Sequence, residues 1–250
     1  MNQKIKTLID RMVKGDKPSL AQLISLIERE SPEISDIMGL VSPFALKAYR
    51  VGITGLAGAG KSTLVNKLTT FYRMQNLTVG VIAVDPSSVI TGGAILGDRI
   101  RMQQHYLDEG VFIRSMATRG CYGGLCKAVE NAAKVINASG QDILIIETTG
   151  IGQTETEITK VADVVIMVLT PGYGDSIQLM KAGIIEIADI IVVNKADLDG
   201  AENLVNEIRN ELKYSTHKKD QSVMMVQASN DIGVAELFAE IEKRRLAKSL

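Results

Sequence analysis

The stretch "GLAGAGKST", residues 55–63, most constrains what this chain can fold into. It matches the pattern G-x-x-x-x-G-K-[ST] from Gly55 to Ser62, directly after the strand-like "RVGIT" and directly before the helix-like "TLVNKLTTFYRM". Glycines there let backbone N–H groups turn inward around phosphate oxygens, and the dipole of the following helix favours an anion. This order of strand, glycine loop and helix predicts a phosphate-binding loop in an α/β sheet.

The same loop predicts the chemistry at the phosphates. Lys61 places a point charge at the β- and γ-phosphates, and the hydroxyl of Ser62 ligates Mg²⁺. The predicted nucleotide contacts are Gly55, Gly58, Ala59, Gly60, Lys61, Ser62 and Thr63. The alternative, a glycine turn with a solvated lysine, is disfavoured because the flanking strand and helix are both in the required order.

From Arg50 onward, short aliphatic runs alternate with amphipathic stretches. The runs are "VGIT", "LTVGVIAVD", "VFIRS", "DILIIE", "VVIMVLT", "IIVVN" and "SVMMVQAS". Seven strands separated by helices predict an α/β fold with a doubly wound, mostly parallel sheet. Before them, one helical face carries the apolar residues Leu20, Leu23, Ile24 and Ile27. We therefore expect an N-terminal helical arm at residues 1–48 and a P-loop domain at residues 49–250.

Composition and charge limit the classes of function. The 250 residues are 46% hydrophobic and 23% charged, which suits one globular domain with its own core. A net charge of -1 and a pI near 6.2 leave no positive excess for a nucleic acid or an anionic membrane, so we expect neither partner. The N-terminus lacks the apolar core of a signal peptide, and no apolar stretch reaches membrane-spanning length. Two cysteines fit a reducing compartment, so we expect a cytoplasmic protein.

A second motif concerns the base of the nucleotide. Asn194, Lys195 and Asp197 follow the run "IIVVN" and form the pattern N-K-x-D. An Asp carboxylate can accept hydrogen bonds from N1–H and the exocyclic amine of guanine, whereas adenine offers no such donor pair. After a P-loop, this pattern favours GTP over ATP and over the alternative of a simple turn into the next helix. Ala228 and Ser229, in "VQASNDIG", are candidates for a backbone contact to the guanine O6.

Acidic residues at predicted strand ends are candidates for the metal site. Glu147 ends the run "ILIIE", where ligands of parallel sheets bind, although a strand-end acid can also cap the next helix. Gly150 can bring its N–H to a γ-phosphate oxygen, so Lys61, Glu147 and Gly150 are the predicted catalytic group. Asp85 and Asp98 are further candidates for Mg²⁺, with a helix cap or an ion pair as the alternative for Asp98. Because Mg²⁺ takes few protein carboxylates, we expect only some of these acids to bind it directly, together with Ser62.

These motifs, with "AVDPSS", "TGGAILGDRIRM", "RGCYGGL", "ETTGIGQTE" and "PGYGDSIQLMKAGIIEIADI", occur in the order and spacing of a known family. From about residue 50 to 245 the chain resembles the methylmalonyl-CoA mutase-associated GTPases, the MeaB/ArgK family of metallochaperone-type P-loop GTPases. The resemblance implies a GTP-driven chaperone that gates cofactor loading and protects an adenosylcobalamin-dependent acyl-CoA mutase. It also implies an additional switch loop, in which Asp175, Gln178 and Lys181 couple the nucleotide state to the partner.

Two departures from the family pattern are visible. The family often has prolines inside the P-loop, where this chain has Leu56 and Ala57. Members also commonly continue into a C-terminal helical dimerisation arm, whereas this sequence ends soon after "LFAEIEKRRLAKSL". A homodimer is therefore expected from the resemblance alone.

The residues after Gly150 predict slow intrinsic hydrolysis. Ras-like GTPases place a water-orienting glutamine directly after this glycine, but here the next residue is Ile151, which has no donor or acceptor. Gln153 is two positions further along, and no arginine in the P-loop can act as a finger. We expect partner binding to position the missing groups through the switch residues Gln153, Asp175, Gln178 and Lys181.

Three other functions remain open at this stage. A nickel-insertion or other metal-insertion GTPase would use Cys121, Cys126, His105 and His217, but two cysteines five positions apart without a nearby histidine make a poor divalent site. A regulatory GTP-binding module with incidental hydrolysis would act through switch-loop ordering. A transport ATPase for basic amino acids is disfavoured by Asn194 and Asp197.

The guanine assignment can be tested at one residue. Asp197→Asn replaces an acceptor by a donor and should shift preference from guanosine toward xanthosine nucleotides by about 1–3 kcal/mol, since a desolvated polar group is left unpaired. Competition between GDP and XDP measures the shift, with Asp199→Asn as the control acid in the same loop. Unchanged preference for GDP in Asp197→Asn would remove the guanine assignment.

Overall fold

A computed structural model describes residues 3–44, 48–85, 102–117, 127–148, 157–172, 184–214 and 220–248. The helices are α1 (Gln3–Met12), α2 (Lys17–Glu28), α3 (Ile34–Val41), α4 (Lys61–Met74), α5 (Lys127–Ala138), α6 (Ala201–Tyr214) and α7 (Val234–Lys248). The strands are β1 (Tyr49–Gly55), β2 (Val79–Asp85), β3 (Val111–Ala117), β4 (Ile143–Glu147), β5 (Val164–Leu169), β6 (Ile190–Asn194) and β7 (Ser222–Val226). All seven predicted strands form.

The strands make one parallel sheet in the order β3-β2-β4-β1-β5-β6-β7. The chain moves to one side of β1 for β2, β3 and β4, and to the other side for β5, β6 and β7. This is the doubly wound order that the sequence predicts, and the predicted α/β fold class is confirmed. β1 pairs with β5 from Val51 opposite Val164 to Gly55 opposite Val168, so that the phosphate loop begins where this pairing ends.

Contacts along the chain define two compact units. The first consists of Met1–Arg50, Tyr72–Cys121 and Leu125–Ile146. Within it, α2 packs against α5 and β3. The predicted apolar face of α2 is buried, with Leu23, Ile24 and Ile27 each 0% exposed. Asp16 caps this helix by accepting a hydrogen bond from the Ser19 backbone N–H at 2.9 Å, and Pro18 suits the first turn, where no intrahelical acceptor is needed.

The second unit consists of Val51–Phe71, Tyr122–Gly124 and Glu147–Leu250. Strands β5 and β6 are buried along their whole length, as near-continuous aliphatic runs in parallel sheets should be. Their side chains pack with α6 in one core cluster that includes Met167, Leu169, Ile191, Val193, Leu204, Val205 and Ile208. Helices α4 and α7 are joined by the rings of Phe71 and Phe238, which stack with centroids 5.2 Å apart.

The N-terminal segment is helical, as α1, α2 and α3 all lie before residue 45. The boundary between a helical arm at 1–48 and a P-loop domain at 49–250 stays a prediction. Among the helices of the described residues, none combines the length and the apolar character that crossing a bilayer requires.

The contribution of α2 to the first unit can be measured. Leu23→Ala should lower the free energy of unfolding by about 2–5 kcal/mol, because it opens a cavity under a fully buried side chain. Leu107 is 96% exposed, so Leu107→Ala is a matched control that should change this free energy by less than about 0.5 kcal/mol. Urea denaturation compares the two variants. Equal effects would show that α2 does not belong to the core of this unit.

Candidate nucleotide-binding site

Glycines shape the phosphate loop between β1 and α4. Gly55, Gly58 and Gly60 have φ values of 132°, 76° and 90°, a region that L side chains rarely adopt. A Cβ at Gly55 would lie 2.0 Å from the carbonyl oxygen of Val168, and one at Gly60 would lie 2.2 Å from Nδ2 of Asn194. The loop therefore excludes any larger residue at both positions and brings its backbone close to β5 and β6.

Lys61 begins α4 and is only 6% exposed. Its Nζ donates to the carbonyl oxygens of Gly55 at 2.8 Å and Leu56 at 2.9 Å, so the ammonium lies over its own loop. Helix α4 also has first-turn N–H groups that lack intrahelical acceptors. Charge and amide donors thus meet at one helix start, as an anion site requires.

Glu147 meets the start of the same helix. Ser62 Oγ donates to Glu147 Oε1 at 2.8 Å, and both residues are 4% exposed. The next residue is held beside β1, because Thr148 N–H donates to the Ile53 carbonyl at 3.0 Å and Thr148 Oγ1 donates to Thr54 Oγ1 at 2.9 Å. The end of β4 is therefore anchored in the nucleotide site.

The donor set at this point fits Mg²⁺. A serine hydroxyl and a carboxylate, both hard oxygen donors, lie within hydrogen-bond distance of each other in a nearly solvent-free position. Mg²⁺ prefers such oxygen ligands, takes few carboxylates and keeps several waters. In the described part of the chain no group of three or more His, Cys, Asp or Glu side chains could hold a metal. Asp85 ends β2, but its side chain lies outside what the structure describes, as does the whole of Asp98.

Asn194 connects the phosphate loop to the loop after β7. Its Nδ2 donates to the Ala59 carbonyl at 2.8 Å, and its Oδ1 accepts from the Ala228 N–H at 3.1 Å. The residue is 3% exposed, so these bonds are made away from water. The predicted base-binding segments are thereby fixed to the predicted phosphate-binding segment.

The rest of the N-K-x-D motif forms a turn. Lys195 has a φ of 56°, Ala196 N–H donates to the Val226 carbonyl at 3.2 Å, and Leu198 N–H donates to the Lys195 carbonyl at 2.9 Å. Asp197 and Ser229 are exposed on the two loops, where a base can reach them. The structure thus brings both predicted base-binding loops together, while the contacts to a base stay predictions.

The site also contains residues that the motifs did not indicate. Thr54 and Thr148, 0% and 2% exposed, form a buried hydroxyl pair beneath the loop, and the Val168 carbonyl forms the wall at Gly55. A threonine inside the apolar run "VGIT" was the available signal for Thr54. The catalytic candidate Gly150, the switch candidates and three of the nickel-site candidates lie outside the described residues: Gly150, Gln153, Asp175, Gln178, Lys181, Cys121, Cys126 and His217. His105 is described, 6% exposed, in the first unit.

A parallel doubly wound sheet, a glycine phosphate loop with a buried lysine, and an adjoining N-K-x-D turn define a P-loop GTPase. The family model described as methylmalonyl-CoA mutase-associated GTPase MeaB matches residues 20–249. The chain therefore belongs to this family, and it is a GTPase that binds GTP and GDP. The family resemblance seen in the sequence is confirmed.

Relatives extend over most of the chain. A protein of Pyrococcus abyssi assigned to the GTPases is 48% identical over 246 residues, which are 96% of this chain and 76% of that protein. The fused isobutyryl-CoA mutase of Cupriavidus metallidurans is 35% identical over 243 residues, 93% of this chain but 22% of that protein. The similar segment is thus a small part of the fused protein.

Solved structures support the fold. A structure described as LAO/AO transport system kinase has a TM-score of 0.77 at 28% identity, covering 100% of this chain and 78% of that one. HypB from Helicobacter pylori, solved in complex with nickel, has a TM-score of 0.61 at 17% identity and covers 86% of this chain and 94% of that one. At that identity the second likeness concerns the fold alone.

The role of Glu147 can be tested by a change of charge. Glu147→Gln should lower GTP turnover more than nucleotide affinity, because a neutral amide orients Mg²⁺ and its water less well as charge develops. Lys61→Ala should lower both. Glu236→Gln, on the exposed face of α7, is the matched control and should change neither. Turnover across a Mg²⁺ titration and affinity for a fluorescent GDP are the measurements. Normal turnover of Glu147→Gln at saturating Mg²⁺ would pass the metal role to Asp85 or Asp98.

Proposed function

We propose that this protein is a Mg²⁺-dependent GTPase chaperone that gates cofactor loading and protects an adenosylcobalamin-dependent acyl-CoA mutase of the methylmalonyl-CoA mutase type. The observation that carries the proposal is the fused isobutyryl-CoA mutase, in which a segment similar to 93% of this chain shares one polypeptide with a mutase. Fusion keeps two modules at a high effective concentration, which is useful when they act on each other. The family description, mutase-associated GTPase, supports the same partner.

The proposed nucleotide contacts use the residues of the described loop. The backbone of residues 55–60 and the start of α4 surround the phosphates, and Lys61 exchanges its carbonyl contacts for phosphate oxygens. Asp197 accepts hydrogen bonds from guanine, and the Ala228–Ser229 segment, held by Asn194, contacts the guanine O6.

Ser62 and Glu147 are the residues that would hold Mg²⁺. The bound ion would supply neutralisation of the negative charge on the phosphate oxygens. The hydroxyl that now donates to Glu147 can turn its lone pairs outward, since a serine hydroxyl both donates and accepts. Gly150 is proposed to bring its backbone N–H to the γ-phosphate.

Control of hydrolysis is assigned to the partner. Ile151 cannot orient a water, so the groups that complete the site are proposed to come from Gln153, Gln178 or Lys181, or from the mutase itself. Asp175 belongs to the same proposed switch segment, which couples the nucleotide state to the partner. The proposed location is the cytoplasm, where GTP is supplied. A homodimer is proposed from the family resemblance alone.

Two experiments on the whole protein test this function. The tagged protein, purified from its own cells with GDP and with a non-hydrolysable GTP analogue, should retain a mutase to different extents in the two nucleotide states. Single-turnover GTP hydrolysis should then be slow alone and faster with that mutase, since groups positioned by a partner raise rates by up to about 10³–10⁵-fold in other GTPases.

The variants Gln178→Ala and Lys181→Ala should lose part of the stimulation while keeping the unstimulated rate. Lys213→Ala, at an exposed lysine near the end of α6, is the matched control. A high rate without the mutase, no rise on adding it and no effect of either variant would leave an autonomous GTPase. A protein that binds the mutase in one nucleotide state without changing hydrolysis would instead be a regulatory binding module.

A further inference from the structure

The first unit contains a cavity of about 500 Å³ that the nucleotide site does not use. It lies between the first turns of α2, the turn at residues 103–106 and strand β3. Apolar side chains make much of its wall, among them Pro18, Ala21, Val111 and Phe112. Its volume falls in the range of about 300–1,000 Å³ that is usual for small-molecule pockets.

Two cationic side chains line the cavity, but their partners differ. Arg114 forms an ion pair with Glu28 and also donates to Ser25 Oγ at 3.0 Å, so its charge is matched by an acid on α2. Lys17 Nζ donates to two backbone carbonyls, those of Asp108 at 3.0 Å and Val111 at 2.9 Å. Within the described ranges no carboxylate pairs with Lys17.

An ammonium group has three N–H donors, and two of those on Lys17 are used by carbonyl oxygens. The half-buried charge is therefore placed at an apolar wall by neutral groups, with no acid to neutralise it in the described part of the chain. Placing a charge in such surroundings is unfavourable unless an opposite charge is supplied. An anion entering the cavity would supply it and would use the third donor.

We propose that this cavity binds a small molecule that has an apolar body and one anionic group, which accepts a hydrogen bond from Lys17. The apolar walls favour the body, and Lys17 discriminates between an anionic and a neutral head of the same size. Ala21 lies on the wall, so a larger side chain there reduces the space for any ligand.

Two fluorescent probes separate these contributions: anilinonaphthalene sulfonate, which is an anion, and phenylnaphthylamine, which has a similar apolar body without the sulfonate. Titrations use the full chain with saturating GDP and Mg²⁺, so that the nucleotide site is occupied. The wild type should bind the sulfonate roughly tenfold or more tightly than the amine, the factor expected from one charge-assisted hydrogen bond. Octanoate should displace the sulfonate at lower concentration than octanol.

The variants assign the binding to the cavity. Lys17→Met keeps the apolar stem but removes the charge, and should bind both probes with similar affinity. Ala21→Leu keeps Lys17 and should weaken both probes. Lys14→Met, at an exposed lysine in the turn before α2, is the matched control and should behave as the wild type. A thermal melt of each variant checks folding, and Lys17→Gln replaces Lys17→Met if the latter does not fold.

Three results would overturn the proposal. The sulfonate could keep its advantage over the amine in Lys17→Met or Lys17→Gln, or Ala21→Leu could bind both probes as tightly as the wild type. The wild type could also fail to prefer the sulfonate over the amine, which would leave a neutral apolar cavity.

Discussion

The amide side chain of Asn194 determines the shape of the nucleotide site. One amide group holds the carbonyl of Ala59 and the N–H of Ala228, two segments that are far apart in the chain. The close approach leaves no room for a Cβ at Gly60, so a glycine is required where β6 comes nearest to the loop. Removing one partner of such buried bonds leaves the others unsatisfied, at a cost of about 1–3 kcal/mol each. A residue of the base-recognition motif therefore fixes the geometry of the phosphate loop.

The hydrogen bond from Ser62 to Glu147 has a comparable effect at the other side of the loop. It joins the first turn of α4 to the end of β4, and the Thr54–Thr148 hydroxyl pair fixes the next residue. A carboxylate that is 4% exposed is unfavourable without donors around it, so its position is justified by the hydroxyl and by the cation that the site is proposed to bind. The residues that would hold Mg²⁺ are thus already positioned by contacts among themselves.

Local patterns predicted much of the fold, whereas contacts between distant residues could not be predicted. The seven aliphatic runs, the apolar face of α2 and the glycine loop depend on neighbouring residues, and each was recognisable in the sequence. The hydrogen bond between Asn194 and Ala59 joins residues 135 positions apart, and that between Lys17 and Val111 joins residues 94 positions apart. No motif indicates such pairs, because they follow from the packing of whole elements. Asn194 was accordingly predicted as a nucleotide contact, without its role between the two loops.

Lys61 explains why the missing prolines of the P-loop are tolerated. Residue 56 contributes its carbonyl oxygen to two hydrogen bonds, from Lys61 Nζ at 2.9 Å and from Ala59 N–H at 3.2 Å. A carbonyl is present whether residue 56 is leucine or proline, so these contacts do not depend on the side chain. Leu56 and Ala57 do leave the backbone more freedom than proline, a difference worth about 0.4–1 kcal/mol per position where the conformation suits proline. Phosphate binding must order this freer loop and compete with the carbonyls for Lys61, so GTP is bound by exchange of existing contacts.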